Sequence, residues 1–239
     1  MSKQQKGCKI LLDGLPNTAK STVASSLDEV FVYSFDYDKA FPFNVPHTTI
    51  YPLSAELPTG SKAVKYQGMK KLKEVLLEKL LAYGKVYGKY PKTVVFDTVT
   101  GMYGMLTDYN SKKYSGFDVH SNNNSDTELF NSLIESLFIK NGINVVIIAH
   151  VMYDEKTDCY VTPAQGNFKK RGAWISGVDF ALYLAVEDDE RVVHHTTIGL
   201  PCRSLLKDIP SEEPLNTFNF QEYIDKVIAE SKEIGKLEF

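Results

Sequence analysis

Cysteine is scarce in this chain: Cys8, Cys159 and Cys202 are widely spaced and form no C-x-x-C pair. That excludes a zinc ribbon and a disulfide framework, and leaves buried thiols as the plain reading. Long apolar runs are also missing. No segment reaches about 18 uninterrupted apolar residues, the length a membrane-spanning helix needs. The opening MSKQQKGCKILLDG has an apolar run too short for a secretory signal. Neither charge sign dominates, with Lys+Arg 27 against Asp+Glu 30 and a net charge of −3. A chain so balanced does not coat nucleic acid by bulk charge, so any such contact must use a local patch. No repeat, low-complexity tract or linker divides the 239 residues. With 43% hydrophobic and 24% charged residues, the composition is that of a folded core. The expectation is one domain over residues 1–239, in a reducing, cytoplasmic compartment.

The chain instead carries short apolar runs separated by helical patterns. Residues 8–13 (CKILLD) read as a strand, and STVASSLDEV as a helix. Residues 30–36 (VFVYSFD) read as a second strand. Pro42, Pro46, Pro52 and Pro58 predict an irregular excursion over 39–60. Met69, Leu72, Leu76, Leu80 and Tyr83 recur at steps of three or four, predicting a helix over 62–83. KTVVFDTVTG (92–101) reads as a buried strand ending at Asp97. Residues 110–126 read as a polar loop, 128–142 as a helix stopped by glycine, and INVVIIAH (143–150) as a buried strand. Residues 153–172 show no clear element. Segments 178–188 and 191–199 read as a strand pair, and 217–236 as a C-terminal helical tail. This order predicts an α/β fold: a mostly parallel sheet with helices on both faces and an antiparallel pair near the C-terminus.

The sharpest motif is Gly14-Leu15-Pro16-Asn17-Thr18-Ala19-Lys20-Ser21, followed by Thr22. It fits G-x-x-x-x-G-K-[ST] except that Ala19 stands at the second glycine. Such a loop ends a strand, turns its N–H groups around a phosphate and starts a helix. Lys20 would reach the β- and γ-phosphates of ATP, and the Ser21 hydroxyl would reach Mg²⁺. The alternative is an ordinary strand–turn–helix joint, and the later motifs argue against it. Asp97 ends TVVFD and is placed to orient the magnesium. Asp38, or failing it Asp36, could polarise the attacking water, with solvated loop acids as the alternative. His150, ending the next strand, could sense the γ-phosphate or simply bond the backbone.

With these strand ends in place, the chain resembles RecA-fold ATPases. It is most similar to the short RecA-like phage proteins of the Sak-four single-strand annealing type and related phage "AAA domain" nucleotide-binding proteins. GLPNTAKST, YSFDYD, TVVFDTVTGM, INVVIIAHVMYDE and GNFKKRGAWISGVDFALYL carry the resemblance, which covers a core of residues 8–207. It implies a RecA-like P-loop NTPase core and a DNA-dependent ATPase that anneals single-stranded DNA in phage recombination. The site would be completed in a homo-oligomer, in the cytoplasm of a bacterial host, with a single-strand-binding protein as a further partner. The resemblance matches Lys20, Asp38, Asp97 and His150 to catalytic positions. It implies that the loops after the two central strands face DNA, through Lys112, Lys113 and Tyr114, and through Lys169, Lys170, Arg171 and Trp174. Three departures stand out: Ala19, the short stretch ahead of Gly14, and a basic pattern reduced to Arg203 and Lys207 as groups that could reach a neighbouring subunit. They bear on ATPase efficiency, filament formation and strand exchange more than on annealing. A second basic stretch, 62–92, interleaves lysines with Tyr66, Tyr83, Tyr87 and Tyr90, and suits either single strands or a solvated helix face. A non-hydrolysing, nucleotide-dependent DNA-binding module and a small-molecule kinase remain as alternatives.

Overall fold

The computed structural model describes residues 6–36, 41, 44–57, 63–162 and 177–234. Its centre is a nine-stranded sheet. In chain order the strands are β1 (Lys9–Gly14), β2 (Val30–Ser34), β3 (His47–Tyr51), β4 (Val64–Lys65), β5 (Thr93–Asp97), β6 (Asn144–Ile148), β9 (Phe180–Glu187), β10 (Glu190–His194) and β11 (Glu212–Pro214). A separate hairpin, β7 (Met152–Asp154) and β8 (Cys159–Val161), follows β6. The order across the sheet is β11-β10-β9-β1-β6-β5-β2-β3-β4. From β9 to β4 every pairing is parallel, while β9, β10 and β11 pair antiparallel. The α/β expectation therefore holds, including the antiparallel strands near the C-terminus.

Strands β1, β5 and β6 are continuous apolar runs because both faces are covered. On one face lie α2 (Met69–Tyr87), α3 (Val99–Lys113) and α4 (Phe117–Leu133), with Phe31, Phe96, Phe130 and Phe138 in one cluster. On the other face lie α1 (Lys20–Ser25) and α5 (Phe220–Ile234). Phe220, Tyr223, Ile224 and Val227 of α5 are buried with Ile10, Leu12, Phe180 and Leu182. Burying each such side chain contributes about 1.5–3 kcal/mol, enough to hold a helix of marginal intrinsic stability. No helix among the described residues is long and apolar enough to cross a membrane.

Several elements differ from expectation. Within 39–60, the run HTTIY forms β3, because Pro46 and Pro52 bracket the β-branched residues instead of interrupting them. The helix expected from residue 62 starts at Met69, after Gly68, and ends where Gly88 takes a left-handed φ of 71°. Residues 110–126 are largely helical, not a loop: α3 runs to Lys113 and α4 starts at Phe117. The reason is mutual burial of polar groups. Asn110 Nδ2 donates to Asn123 Oδ1 and to Asp126 Oδ2, each at 2.9 Å, so the asparagines face each other between the helices. A π turn (Ile134–Phe138) and a 3₁₀ turn (Ile139–Asn141) extend α4 to the glycine stop at Gly142. The hairpin β7–β8 starts one residue before the 153–172 stretch that showed no pattern and continues into it, three residues per strand being too short for a period to register. The second strand is not beside the first. β2 is separated from β1 by β6 and β5, because the chain crosses the sheet before returning to its centre.

Candidate functional site

Parallel strands present their C-terminal ends on one edge of a sheet, and ligand sites collect there. Neighbouring β1, β6 and β5 end at Gly14, Ile148 and Asp97. A cleft of about 490 Å³ opens at this edge, lined by Asn17, Thr18, Ala19, Lys20, Ser21, Thr22, Asp97, Thr98, Ile148, His150 and Arg191. Residues 170 positions apart in the chain thus share one wall only because of the crossover order of the strands.

The 14–21 segment has the backbone of an anion cradle. Gly14 has φ 145°, Asn17 φ 66° and Ala19 φ 71°. Left-handed residues alternating with ordinary ones turn successive N–H groups to one side, which suits an anion. A side chain at Gly14 is impossible without movement, since an ideal Cβ would stand 2.2 Å from the Leu184 carbonyl oxygen of β9. Ala19 occupies the left-handed region that glycine enters freely, which explains why glycine is favoured there. Lys20 is buried, and its ammonium donates to Gly14 O at 2.9 Å, Leu15 O at 2.6 Å and Thr18 Oγ1 at 3.3 Å. Thr18 Oγ1 in turn donates to Leu15 O at 2.9 Å.

Asp97 is fully buried at the end of β5, and the Asp97–Thr98 peptide bond is cis. Thr98 caps α3, its hydroxyl accepting from Gly101 N at 3.0 Å. His150 lies across the β5–β6 pair, its backbone N–H donating to Thr100 Oγ1 at 3.1 Å. A carboxylate, four hydroxyls, an imidazole, an ammonium and a guanidinium therefore converge. That donor set can bind a polyphosphate with a divalent cation: hard oxygen ligands from Asp97 and Ser21, and positive charge from Lys20 and Arg191.

Arg191 has no motif around it. It stands at the start of β10, opposite Val186, exposed. Nothing in DDERVV marks it as a ligand, and only the antiparallel return of β10 brings it to the 14–21 loop. A second hollow of about 500 Å³ adjoins the first, sharing Ala19, Thr22 and Arg191, with Val186, Pro214 and Leu215 as apolar walls and Asp189, Glu190 and Asn216 as polar groups.

Other expected residues fall elsewhere. Asp36 does not line the cleft. It follows β2, which β6 and β5 separate from β1, and lies over the start of α3, where a Cβ on Gly101 would come 3.2 Å from its Oδ1. Asp38 lies outside the described residues, as do Lys169, Lys170, Arg171 and Trp174. Lys112 pairs with Asp108 at 2.7 Å, and the Lys113 ammonium lies 5.7 and 5.3 Å from the ring centroids of Tyr109 and Tyr114. Along 62–92, Tyr66 and Tyr83 are core residues, and Lys71, Lys79, Lys89 and Lys92 pair with Glu74, Glu78 and Glu29. That part reads as a solvated helix face. Arg203 donates to the Asp179 carbonyl oxygen at 3.4 Å and pairs with Ala181, and Lys207 is exposed. Neither lines the cleft.

Away from the cleft, buried His194 has Nε2 2.9 Å from Glu187 Oε1 and Nδ1 3.2 Å from Glu212 Oε2. These contacts link β9, β10 and β11. Compared with known proteins, the chain matches no family model and no curated sequence.

Proposed function

We propose that this chain binds ATP with Mg²⁺ in the cleft at the ends of β1, β5 and β6, and acts on single-stranded DNA as a RecA-like nucleotide-dependent protein. The observation that carries the reading is the meeting of the 14–22 loop, Asp97 and His150 in one cleft, with Ala19 in the backbone conformation that glycine serves in a phosphate loop. The loop N–H groups would hold the phosphates. Lys20 would exchange its carbonyl partners for phosphate oxygens, a stronger charge-assisted bond. Ser21 and Asp97 would hold the magnesium ion, which when bound neutralises phosphate charge. Arg191, shared by both hollows, would lie where the phosphates give way to the nucleoside. His150 would bond the terminal phosphate and relay its presence to the β7–β8 hairpin, which begins two residues later.

The DNA and oligomer parts rest on the resemblance and on Lys112 and Lys113, which stand about 20 Å along α3 from the cleft. Ala19, which holds a left-handed backbone at a position glycine enters freely, favours binding without turnover as the second reading.

The test is ATP turnover by the purified chain, with and without single-stranded DNA, beside Lys20→Ala. Turnover that rises with DNA and vanishes in the variant supports a DNA-dependent ATPase. Binding of both ligands without turnover supports the non-hydrolysing module. Phosphate transfer to a nucleoside or sugar, with no DNA bound, would replace both with a kinase.

A further inference from the structure

A charge at the root of the loop has no part in that reading. Asp13 immediately precedes Gly14 and is fully buried. Its Oδ2 accepts a hydrogen bond from Thr162 Oγ1 at 2.5 Å, while Oδ1 is buried with no hydrogen-bond partner among the described residues. A buried carboxylate with one bare oxygen is costly as an anion, because desolvation penalises the charged form. Lys20 supplies the positive charge that opposes this cost. Lys20 is also the group a polyphosphate would draw away.

Two titratable neighbours of Asp13 stay neutral near neutral pH. It lies opposite Tyr183 of β9 in the strand register, and its charge acts on Tyr183 and Cys202. Burial pushes the Tyr183 hydroxyl up to about 12 and the Cys202 thiol up to about 11, so both stay neutral between pH 7 and 9. Burial raises the Asp13 carboxyl to about 8, against the opposing effects of Thr162 and Lys20. Thr162 directly follows β8. Asp13 is therefore a joint between the loop that carries Lys20 and the hairpin that follows β6.

We propose that Asp13 is a positioning residue for Lys20 whose protonation is linked to polyphosphate binding: the carboxylate favours the ammonium where it lies on Gly14 and Leu15, and the acid releases it toward the phosphates. This rests on the nucleotide reading above. The proton comes from the buffer and adds to a carboxylate oxygen, and no covalent bond to the ligand forms. The Thr162 hydroxyl can donate to the anion or accept from the acid, so the hairpin keeps its anchor in both forms while the direction of that bond reverses. As Lys20 leaves, the attraction that favours the anion weakens, so binding raises the proton affinity of Asp13. Affinity must then fall as pH rises through about 8.

The experiment is calorimetric titration of the full chain with ADP and magnesium chloride at pH 8, in two buffers of different ionisation enthalpy. It is repeated at pH 7 and 9 for affinity. The expected result is uptake of up to about half a proton at pH 8 and an affinity up to about tenfold weaker at pH 9 than at pH 7. Asp13→Asn, which copies the neutral acid, should bind without this uptake and with no pH dependence over that range. Should that variant fold poorly, Thr162→Val keeps the carboxylate and removes a bond that favours its charge, so the pH midpoint should move upward. Binding without proton uptake in the unaltered chain, or the same uptake in Asp13→Asn, overturns the role of Asp13 while the nucleotide site stands. Absence of any ADP binding overturns the nucleotide reading itself, and this role with it.

Discussion

The ammonium of Lys20 donates to the carbonyl oxygen of Gly14 at 2.9 Å, so the residue that opens α1 is tied back to the residue that closes β1. The same group holds Leu15 O at 2.6 Å, and the loop is therefore braced by its own lysine. Anything that draws Lys20 outward must offer better acceptors than two neutral carbonyls. Phosphate oxygens do so, because they carry negative charge where the carbonyls offer only a dipole.

Lys20→Met keeps the length of the side chain and removes its charge. Nucleotide affinity should fall about 10–100-fold, the equivalent of one or two charge-assisted hydrogen bonds. Equilibrium binding of a fluorescent ATP analogue measures this, and unchanged affinity would remove the 14–22 loop from the nucleotide reading.

Ala19→Gly relieves a left-handed alanine at φ 71°. Relief of that conformation outweighs the entropy that glycine adds to the unfolded chain by about 0.5–1 kcal/mol. For a chain of this size the melting temperature should rise by about 1–4 °C. A thermal melt checks it, and a drop would show that the alanine methyl makes a contact worth more than the backbone relief.

Arg191→Ala should leave the melting temperature unchanged, because the residue is exposed. ADP and ATP binding should both weaken about tenfold, since Arg191 borders the hollow beyond the loop and not only the inner end of the cleft. Loss confined to ATP would move its contact to the terminal phosphate.

His195 gives the fold a pH dependence. It is fully buried, stacked 5.1 Å from the Tyr223 ring at 21°, with Nε2 2.9 Å from Glu213 Oε1. Burial lowers its proton affinity, and Glu213 opposes this in part. The unfolded chain then binds the proton more readily than the folded one. Stability from this residue is complete above about pH 7 and declines as pH falls through about 6.5, the ordinary imidazole value. Urea denaturation at pH 7.5, 6.5 and 5.5 should show this decline, and His195→Gln should flatten it. Identical slopes in both proteins would place the titration elsewhere.

The local periods of the chain were enough to mark β1, β2, β5, β6, the β9–β10 pair and α5, because each buries an apolar face or run whose spacing is written in neighbouring residues. The 14–22 loop, Asp97 and His150 were legible for the same reason: each sits at the end of such a run. The helix α3 was not, since VTGMYG holds poor helix formers that become helical through the Thr98 cap and burial of Val99, Met102 and Leu106. Nor was the Asn-rich start of α4, whose asparagines are satisfied across the α3–α4 interface and nowhere along their own chain. Strand order was decided only in three dimensions. It put two strands between β1 and the strand that Asp36 follows, and brought Arg191 onto the loop wall. Burial likewise changed Asp13 from a strand-end acid into a carboxylate that feels the charge of Lys20 and has one oxygen without a hydrogen-bond partner among the described residues. Short-range pattern determines which segments bury their faces, whereas charge, desolvation and the meeting of distant side chains depend on what the completed sheet packs around them.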